Sequence, residues 1–282
     1  MILGLLIDRI RLDEKLIMKA ADRMDIKVEL IDISKIFLDI TKFDNRFSHI
    51  DIFLQRSIST LRGLYVTKIL EAYGYEVINS FHTSLNCIDK VNSTILFAKN
   101  KVPTPHTIIA FSEEGGLRAI EQLGYPIILK PIMGSWARLV AKINDRDAAK
   151  SIFEDRKELG VWYSILYLQE FVNKPGRDIR SMVIGDNVVA AIYRINNDDW
   201  RTNTARGGQS INCEVTEDLE DISLKAAKAV GGGILGVDIM EKENQLVAHE
   251  VNHSPEFKNI QRVSGIDIGA EIVKYLVERV KR

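Results

Sequence analysis

The residues best suited to chemistry lie in two apolar segments near the end of the chain. Asp238 lies within Gly236–Met240, and Glu250 and Asn252 lie within Ala248–Asn252. If both segments are strands, Glu250 and Asn252 share one face because side chains alternate. Carboxylate and amide oxygens suit Mg²⁺, and close carboxylates repel unless a cation lies between them. The pattern predicts a metal site. The alternative, a polar solvent-exposed face, fits the apolar neighbours poorly.

Lys130 and the loop that follows it could bind phosphate. Lys130 closes the apolar segment Tyr125–Pro131, and a compact ammonium suits a phosphate as a point charge. The next segment, Ile132–Arg138, contains Gly134, and small residues let backbone N–H groups close over an anion. A solvated strand end and a plain hairpin turn stay open as the respective alternatives.

A further pair of segments could form the nucleotide side of the same site. Leu168–Val172 reads as a strand whose exposed edge offers backbone groups to an adenine. It leads into Gly176–Arg180, in which Asp178 and Arg180 lie two apart and therefore share one strand face. A surface ladder of ion pairs is the competing interpretation of these two charges.

Apolar periodicity predicts the elements that position these residues. Up to residue 86, short apolar strands alternate with amphipathic helices, which favours a parallel sheet. Strands are predicted at 2–7, 27–31, 50–54, 76–78, 108–110, 127–130, 139–142, 164–171, 178–184, 188–193, 235–240 and 246–250. Helices are predicted at 14–23, 59–72, 89–100, 112–123, 147–157, 217–230 and 268–281. We expect an α/β protein of three lobes, with boundaries 1–86, 87–163 and 164–282.

Composition narrows the classes of function. The net charge of −1 gives no general reason to expect nucleic-acid or membrane binding, and no apolar run approaches the length of a bilayer span. Two distant cysteines indicate neither a disulfide framework nor a zinc cluster, so we expect a cytoplasmic protein. Arg56, Arg62 and Lys68 could still form a local basic patch for an acidic partner, or simply a solvated helix face.

Taken in order, these segments resemble the ATP-grasp fold and, within it, the RimK-like branch. The resemblance covers nearly the whole chain and rests on the order and spacing of short motifs. It is greatest to the LysX and ArgX ligases, which charge an amino-group carrier protein in lysine and arginine biosynthesis. The segments that carry this finer likeness are Lys130–Leu139, Lys174–Arg180 and Asn252–Asn259.

The resemblance implies a role for each matching residue. Residues expected to bind ATP are Lys90, Lys130, Gly134, Ser135, Trp136, Ala137, Arg138, Gln169, Glu170, Phe171, Val172 and Asp178. Two Mg²⁺ ions are expected at Asp238, Glu250 and Asn252. Arg180 and Arg206 are expected to be catalytic, and the expected substrate-binding residues are Arg194, Asn203, Thr204, Arg206, Ser254, Lys258 and Asn259. Where relatives commonly have glycine this chain has Ala137, which implies a slightly stiffer loop.

The resemblance also implies a reaction. A carboxylate of a small acidic carrier protein would attack the γ-phosphate of ATP, and the amine of α-aminoadipate or glutamate would then attack the acyl phosphate. The pair Asn259-Ile260 resembles the aminoadipate-using members and favours α-aminoadipate, with glutamate as the alternative. A homo-oligomer, dimer or tetramer, is also implied. Another RimK-like glutamate ligase and a non-catalytic ATP-binding module are the competing hypotheses.

Overall fold

The computed structural model describes residues 1–42, 45–134, 138–196, 199–202 and 208–281. Within these ranges the chain forms three sheets with helices packed against them. The prediction of an α/β protein with three lobes is confirmed. No helix in these ranges is long and apolar enough to cross a bilayer.

The first lobe contains a parallel sheet in the strand order β2-β1-β3-β4. Its elements are β1 (Ile2–Ile7), α1 (Leu12–Asp22), β2 (Lys27–Asp32), β3 (Ile52–Gln55), α2 (Thr60–Ala72) and β4 (Val77–Ile78). Strand β1 is apolar throughout because both of its faces are covered. Leu3 and Leu5 join one core cluster, and Leu6 joins another with Phe53.

The central lobe is built on an antiparallel sheet in the order β5-β8-β6-β7. The chain from 81 to 170 forms α3 (Phe81–Ile88), α4 (Lys90–Lys99), β5 (Thr107–Ala110), α5 (Glu113–Leu123), β6 (Ile127–Lys130), β7 (Ala141–Ile143), α6 (Arg146–Glu158), a 3₁₀ turn (Val161–Tyr163) and β8 (Leu166–Glu170). Helices α5 and α6 cover the sheet, with Ile120, Phe153 and Leu168 in the core between them.

The third lobe is an antiparallel sheet in the order β11-β10-β9-β12-β13. Its elements are β9 (Arg177–Ile184), β10 (Asn187–Ile195), β11 (Gln209–Cys213), α7 (Glu217–Val230), β12 (Ile234–Lys242), β13 (Gln245–Asn252), α8 (Lys258–Ser264) and α9 (Ile268–Val280). One face packs on α7, and Phe97 of α4 joins that core. The other face packs with α1 and α9, so this sheet is covered from two lobes.

The predicted lobe boundaries do not coincide with these elements. A boundary after residue 86 falls inside α3, and one after residue 163 separates β8 from β5 and β6, its partners in the central sheet. Hydrogen bonding favours a central lobe that ends after Glu170, and the division of the chain remains a proposal.

The predicted three-residue basic patch is wrong. Arg56 is only 2% exposed. Its Nε donates to Glu14 Oε1 at 3.1 Å and its Nη1 donates to the Pro255 carbonyl at 2.9 Å. Arg62 and Lys68 are exposed on α2. Arg56 therefore has a structural position, and a surface patch at this place would rest on the other two residues.

Candidate active site

A cleft of about 480 Å³ lies where the three lobes meet. Strands of the central and C-terminal sheets form its walls, and the segment before α2 reaches it from the first lobe. This volume is typical of small-molecule sites. The residues of the predicted site that line it are Lys90, Lys130, Gly134, Arg138, Gln169, Glu170, Phe171, Val172, Asp178, Arg180, Arg194, Asp238, Glu250, Asn252, Ser254, Lys258 and Asn259.

Two lysines lie together in this cleft. Lys130 ends β6, where its Nζ donates to Gln169 Oε1 at 2.6 Å. Lys90 begins α4, and its Nζ donates to the Gly134 carbonyl at 2.7 Å and lies 3.6 Å from Glu250 Oε1. Lys130 is partly buried and lines the cleft, so the alternative of a solvated strand end does not fit it.

The small-residue loop begins at the mouth of the same cleft. Gly134 has φ of +130°, a conformation that side chains rarely adopt, and its carbonyl is held by Lys90. Arg138, at the other end of the loop, also lines the cleft. Ser135, Trp136 and Ala137 lie outside the described residues.

The end of β8 forms the second wall. Gln169 donates to Thr107 Oγ1 at 2.9 Å and accepts from Lys130, which fixes its amide. Glu170 accepts from Lys242 Nζ at 2.7 Å and from the His106 N–H at 2.9 Å. Beyond Glu170 the chain leaves the sheet, so strand pairing does not use the backbone groups of the next residues.

Two aromatic contacts fix the position of Phe171, the first residue after β8. The Lys142 ammonium lies 3.7 Å from the centroid of its ring. The Trp200 ring meets it edge-on at 6.2 Å. These two contacts hold the Phe171 ring at the wall of the cleft.

Asp238 and Glu250 face each other across the β12–β13 pair, and Asn252 lies next to them. The register places Asp238 opposite Glu250. Asn252 Nδ2 lies 3.5 Å from Asp238 Oδ2. Asp238 is in the middle of β12, not at a strand end. The strand register and the Asn252 contact thus bring together the three residues that the sequence predicts as oxygen ligands.

Arginines neutralise the buried acids of the cleft. Arg180 donates from Nε and Nη2 to the two oxygens of Asp238, each at 2.6 Å. Arg194 donates from Nε to Asp178 Oδ1 at 2.6 Å, and its Nη2 lies 3.3 Å from Asp238. Asp178 is 3% exposed, so the alternative of a surface ion-pair ladder is wrong.

These contacts set the protonation of the acids. Burial alone would raise the pKa of Asp238, but the guanidinium groups of Arg180 and Arg194 outweigh it and hold the pKa well below the usual range. Burial lowers the pKa of His249 to about 3, so this imidazole is neutral at pH 7. The inner cleft therefore carries ionised acids beside permanent cations.

Comparison with protein families decides the assignment. The RimK-like ATP-grasp domain matches residues 87–276, and the LysX preATP-grasp domain matches residues 3–85. The chain belongs to the RimK-like ATP-grasp family. The resemblance drawn from the sequence motifs is confirmed at this level.

Named relatives and a solved structure agree with this assignment. The chain is 39% identical over 249 residues to the alpha-aminoadipate–LysW ligase LysX of Saccharolobus solfataricus, covering 86% of this chain and 90% of that one. It is 36% identical over 276 residues to the glutamate–LysW ligase ArgX of Sulfolobus acidocaldarius, covering 97% of each. A RimK-domain ATP-grasp protein from Sphaerobacter thermophilus superposes with a TM-score of 0.78 at 22% identity, covering 98% of this chain and 100% of that one.

Ligases of this RimK-like ATP-grasp family use ATP and Mg²⁺, and the residues present fit both. In the described ranges no three residues of the His, Cys, Asp and Glu types are placed to hold a metal by themselves. Asp238, Glu250 and Asn252 instead supply two carboxylates and one amide. Such a set suits Mg²⁺ that takes its remaining ligands from phosphate oxygens and water.

The sequence assigns no role to some residues that line the cleft. Lys174 Nζ donates to Thr202 Oγ1 at 2.7 Å and lies 3.4 Å from Asp178. Lys174 therefore links Asp178, the partner of Arg194, to the loop after β10. Arg11 reaches the cleft from the first lobe, where no motif marks it. Asn203, Thr204 and Arg206, predicted to bind substrate, lie outside the described residues.

We expect the predicted contact between Lys130 and phosphate to depend on pH. Burial lowers the pKa of Lys130 to about 8, and Glu250 offsets part of this effect. Between pH 7 and pH 9 most of the ammonium becomes a neutral amine, so we expect the KM for ATP to rise roughly tenfold. Initial rates at varied ATP across this range measure it.

A matched variant assigns the effect to this residue, because burial also lowers the pKa of Lys174 in the same cleft. Lys130→Arg keeps a positive charge throughout and should lose the pH dependence. A KM for ATP that stays constant in the native protein would show that Lys130 does not act as a charge on phosphate.

Proposed function

We propose that this protein is an ATP- and Mg²⁺-dependent ligase of the LysX type. It joins the amino group of α-aminoadipate to the side-chain carboxylate of the C-terminal glutamate of an acidic LysW-type carrier protein. The observation that carries the proposal is the arrangement of one cleft, in which Lys90 and Lys130 lie beside the Glu250 carboxylate and Arg180 lies on Asp238. The named LysW ligases among the relatives support it.

The reaction proceeds in two steps. A carboxylate oxygen of the carrier attacks the γ-phosphorus of ATP, a P–O bond to ADP breaks, and an acyl phosphate forms. The amine then attacks the acyl carbon, the nitrogen gives up a proton and phosphate leaves. Phosphoryl transfer depends on positioning and charge neutralisation more than on covalent chemistry by the protein.

The residues divide this work between them. Lys90 and Lys130 hold the phosphates, and the segment from Glu170 to Val172 holds the adenine. Two Mg²⁺ ions at Asp238, Glu250 and Asn252 would neutralise charge on the transferred group. The guanidinium groups of Arg180 and Arg194 lie where charge develops, and they are held there by Asp238 and Asp178. The homo-oligomeric state stays a prediction.

Release of ADP that depends on an amine tests the proposal. The native protein is incubated with ATP, Mg²⁺, a LysW-type carrier and one amino acid at a time, and ADP is measured. We expect release only when carrier and amino acid are both present. Nucleotide bound without turnover under any combination would identify a non-catalytic ATP-binding module. Turnover with glutamate and a different carboxylate acceptor would identify another RimK-like glutamate ligase.

The choice between α-aminoadipate and glutamate rests on Asn259. This residue is partly buried and lines the cleft at the start of α8, where its amide can donate to a substrate carboxylate. Ile260, its neighbour in the sequence motif, is 1% exposed and lies in the core, so it acts through packing and not by contact with a substrate.

Asn259→Ala therefore isolates the specificity effect. We expect the native protein to favour α-aminoadipate and the variant to lose about tenfold of that preference, because one methylene and one hydrogen bond are worth only about 1–3 kcal/mol in a pocket. The measurement is kcat/KM for both amino acids. Arg262→Ala, an exposed change on the same helix, is the control. A native preference for glutamate would assign the ArgX-type function instead.

A further inference from the structure

A cluster of charged residues in the first lobe packs against the segment that follows β13. It consists of Arg11, Asp13, Glu14 and Arg56. Asp13 and Glu14 are 0% exposed. Arg11 Nη2 donates to Glu14 Oε1 at 2.7 Å, and Arg56 Nε donates to the same atom. Buried charges are costly unless they are paired and hydrogen-bonded, so each contact in the cluster is informative.

The cluster holds three residues of the segment from 255 to 258. Asp13 Oδ1 accepts from the Phe257 N–H at 2.6 Å and from the Lys258 N–H at 3.0 Å. Arg56 Nη1 donates to the Pro255 carbonyl at 2.9 Å. Helix α8 has no side-chain cap of its own. Asp13 thus supplies, from another lobe, the acceptor that the first N–H groups of a helix require.

The capped end of α8 is the end to which the proposed function assigns the amino acid. Lys258 and Asn259 are its first residues, and both line the cleft. Helix α1, which bears Asp13, is itself fixed against α9. At Gly269 a β-carbon would lie 2.9 Å from the Leu16 carbonyl oxygen, so only glycine allows this approach. The position of α1 therefore determines where the start of α8 lies.

We propose that Asp13 is a positioning residue for the amino-acid substrate. Its carboxylate fixes the first turn of α8 so that Lys258 and Asn259 meet the carboxylates of the amino acid. Asp13 is not one of the described residues that line the cleft, and it acts through the backbone of Phe257 and Lys258. This inference rests on the proposed function, because it assigns the amino acid to that end of the cleft.

The test compares KM values for the two small substrates. In Asp13→Ala we expect the KM for α-aminoadipate to rise between about tenfold and a hundredfold, because small misplacements of binding groups are costly. The KM for ATP should change by less than about twofold, since the lysines are held elsewhere. Asp13→Asn keeps an oxygen acceptor at the same position and should restore most of the affinity for the amino acid.

A matched control separates positioning from general stability. Asp267 caps α9 by accepting from the Ala270 N–H at 3.1 Å and contacts Arg23 at the surface. Asp267→Ala should lower the midpoint of thermal unfolding without changing either KM. If Asp13→Ala lowers that midpoint in the same way and leaves the KM for the amino acid unchanged, the positioning role is refuted.

The remaining outcomes are also decisive. If Asp13→Ala does not fold, Asp13→Glu keeps the charge but displaces the oxygens by one methylene, and it should still raise the KM for the amino acid alone. An unchanged KM in that variant would overturn the inference. A native protein that ligates no amino acid would refute the proposed function itself, which is a different result from native turnover with unaffected Asp13 variants.

Discussion

Replacing Glu250 by glutamine is expected to slow ligation on the order of a hundredfold to a thousandfold while the fold stays intact. Glu250 presents a partly exposed carboxylate to the cleft, 3.6 Å from Lys90. Glutamine keeps the shape and one oxygen but removes the charge that an oxygen-liganded Mg²⁺ requires. ADP release with saturating carrier and amino acid measures the rate, and thermal unfolding followed by circular dichroism checks the fold.

A neighbouring carboxylate provides the control for this change. Glu241 lies on β12 and pairs with Arg177 outside the cleft, with Nε to Oε2 at 2.7 Å, so Glu241→Gln should leave the rate near native. Asp238→Asn would be a less clean test, because Asp238 is 1% exposed and compensates two guanidinium groups. Near-normal turnover of Glu250→Gln at ordinary Mg²⁺ would refute the metal assignment.

Arg180→Ala should reduce kcat by about a hundredfold or more. The guanidinium holds both oxygens of Asp238 at 2.6 Å and lines the cleft, so its removal should affect the proposed charge stabilisation and the position of Asp238, a proposed metal ligand. Arg180→Lys keeps one charge but loses the paired donors, and we expect only partial recovery. Single-turnover rates measured at saturating ATP report on the chemical steps of ligation without product release.

Arg177→Ala is the matched control on the same strand, because Arg177 pairs with Glu241 outside the cleft. Its kcat should stay within about twofold of native. An unchanged kcat in Arg180→Ala, with only the KM for one substrate raised, would make Arg180 a binding residue and not a catalytic one.

Much of the fold can be predicted from the sequence because the local patterns are strong. Strand β1 and helix α7 (predicted at 2–7 and 217–230) show apolar periodicity that fits a single element, and the predicted spans agree with the structure. Alternation of strands and helices in the first lobe likewise predicts its parallel sheet. In these elements burial and local preference favour the same conformation.

Other elements depend on distant parts of the chain. Helix α8 is seven residues long and is capped by Asp13, so no local signal marks its start. Strand β8 pairs with β5 and β6 although it lies beside the C-terminal motifs in sequence. The burial of Arg56 follows from its pairing with Glu14, a contact across 42 positions that charge patterning alone does not reveal.

The candidate site divides in the same way. Motif residues such as Lys130 and Glu250 can be predicted to line the cleft because each lies at or near the end of an apolar strand. The residues that pair with the charged side chains of the cleft cannot be predicted from the sequence. Thr202 and Lys174 contact Asp178 only because the loops around β9 and β10 fold together. The pairing of arginines with acids depends on how the sheet packs. Arg180 pairs with Asp238 on the neighbouring strand β12 and not with Asp178 on its own strand β9.

Mass spectrometry of the carrier tests the central claim most directly. A LysW-type carrier is incubated with the native protein, ATP and Mg²⁺, with α-aminoadipate or glutamate in separate reactions. We expect its mass to increase by the mass of one α-aminoadipate molecule less one water, on the C-terminal glutamate, with less product from glutamate. A carrier of unchanged mass in both reactions, while ATP is bound and the protein is folded, would contradict the proposed function.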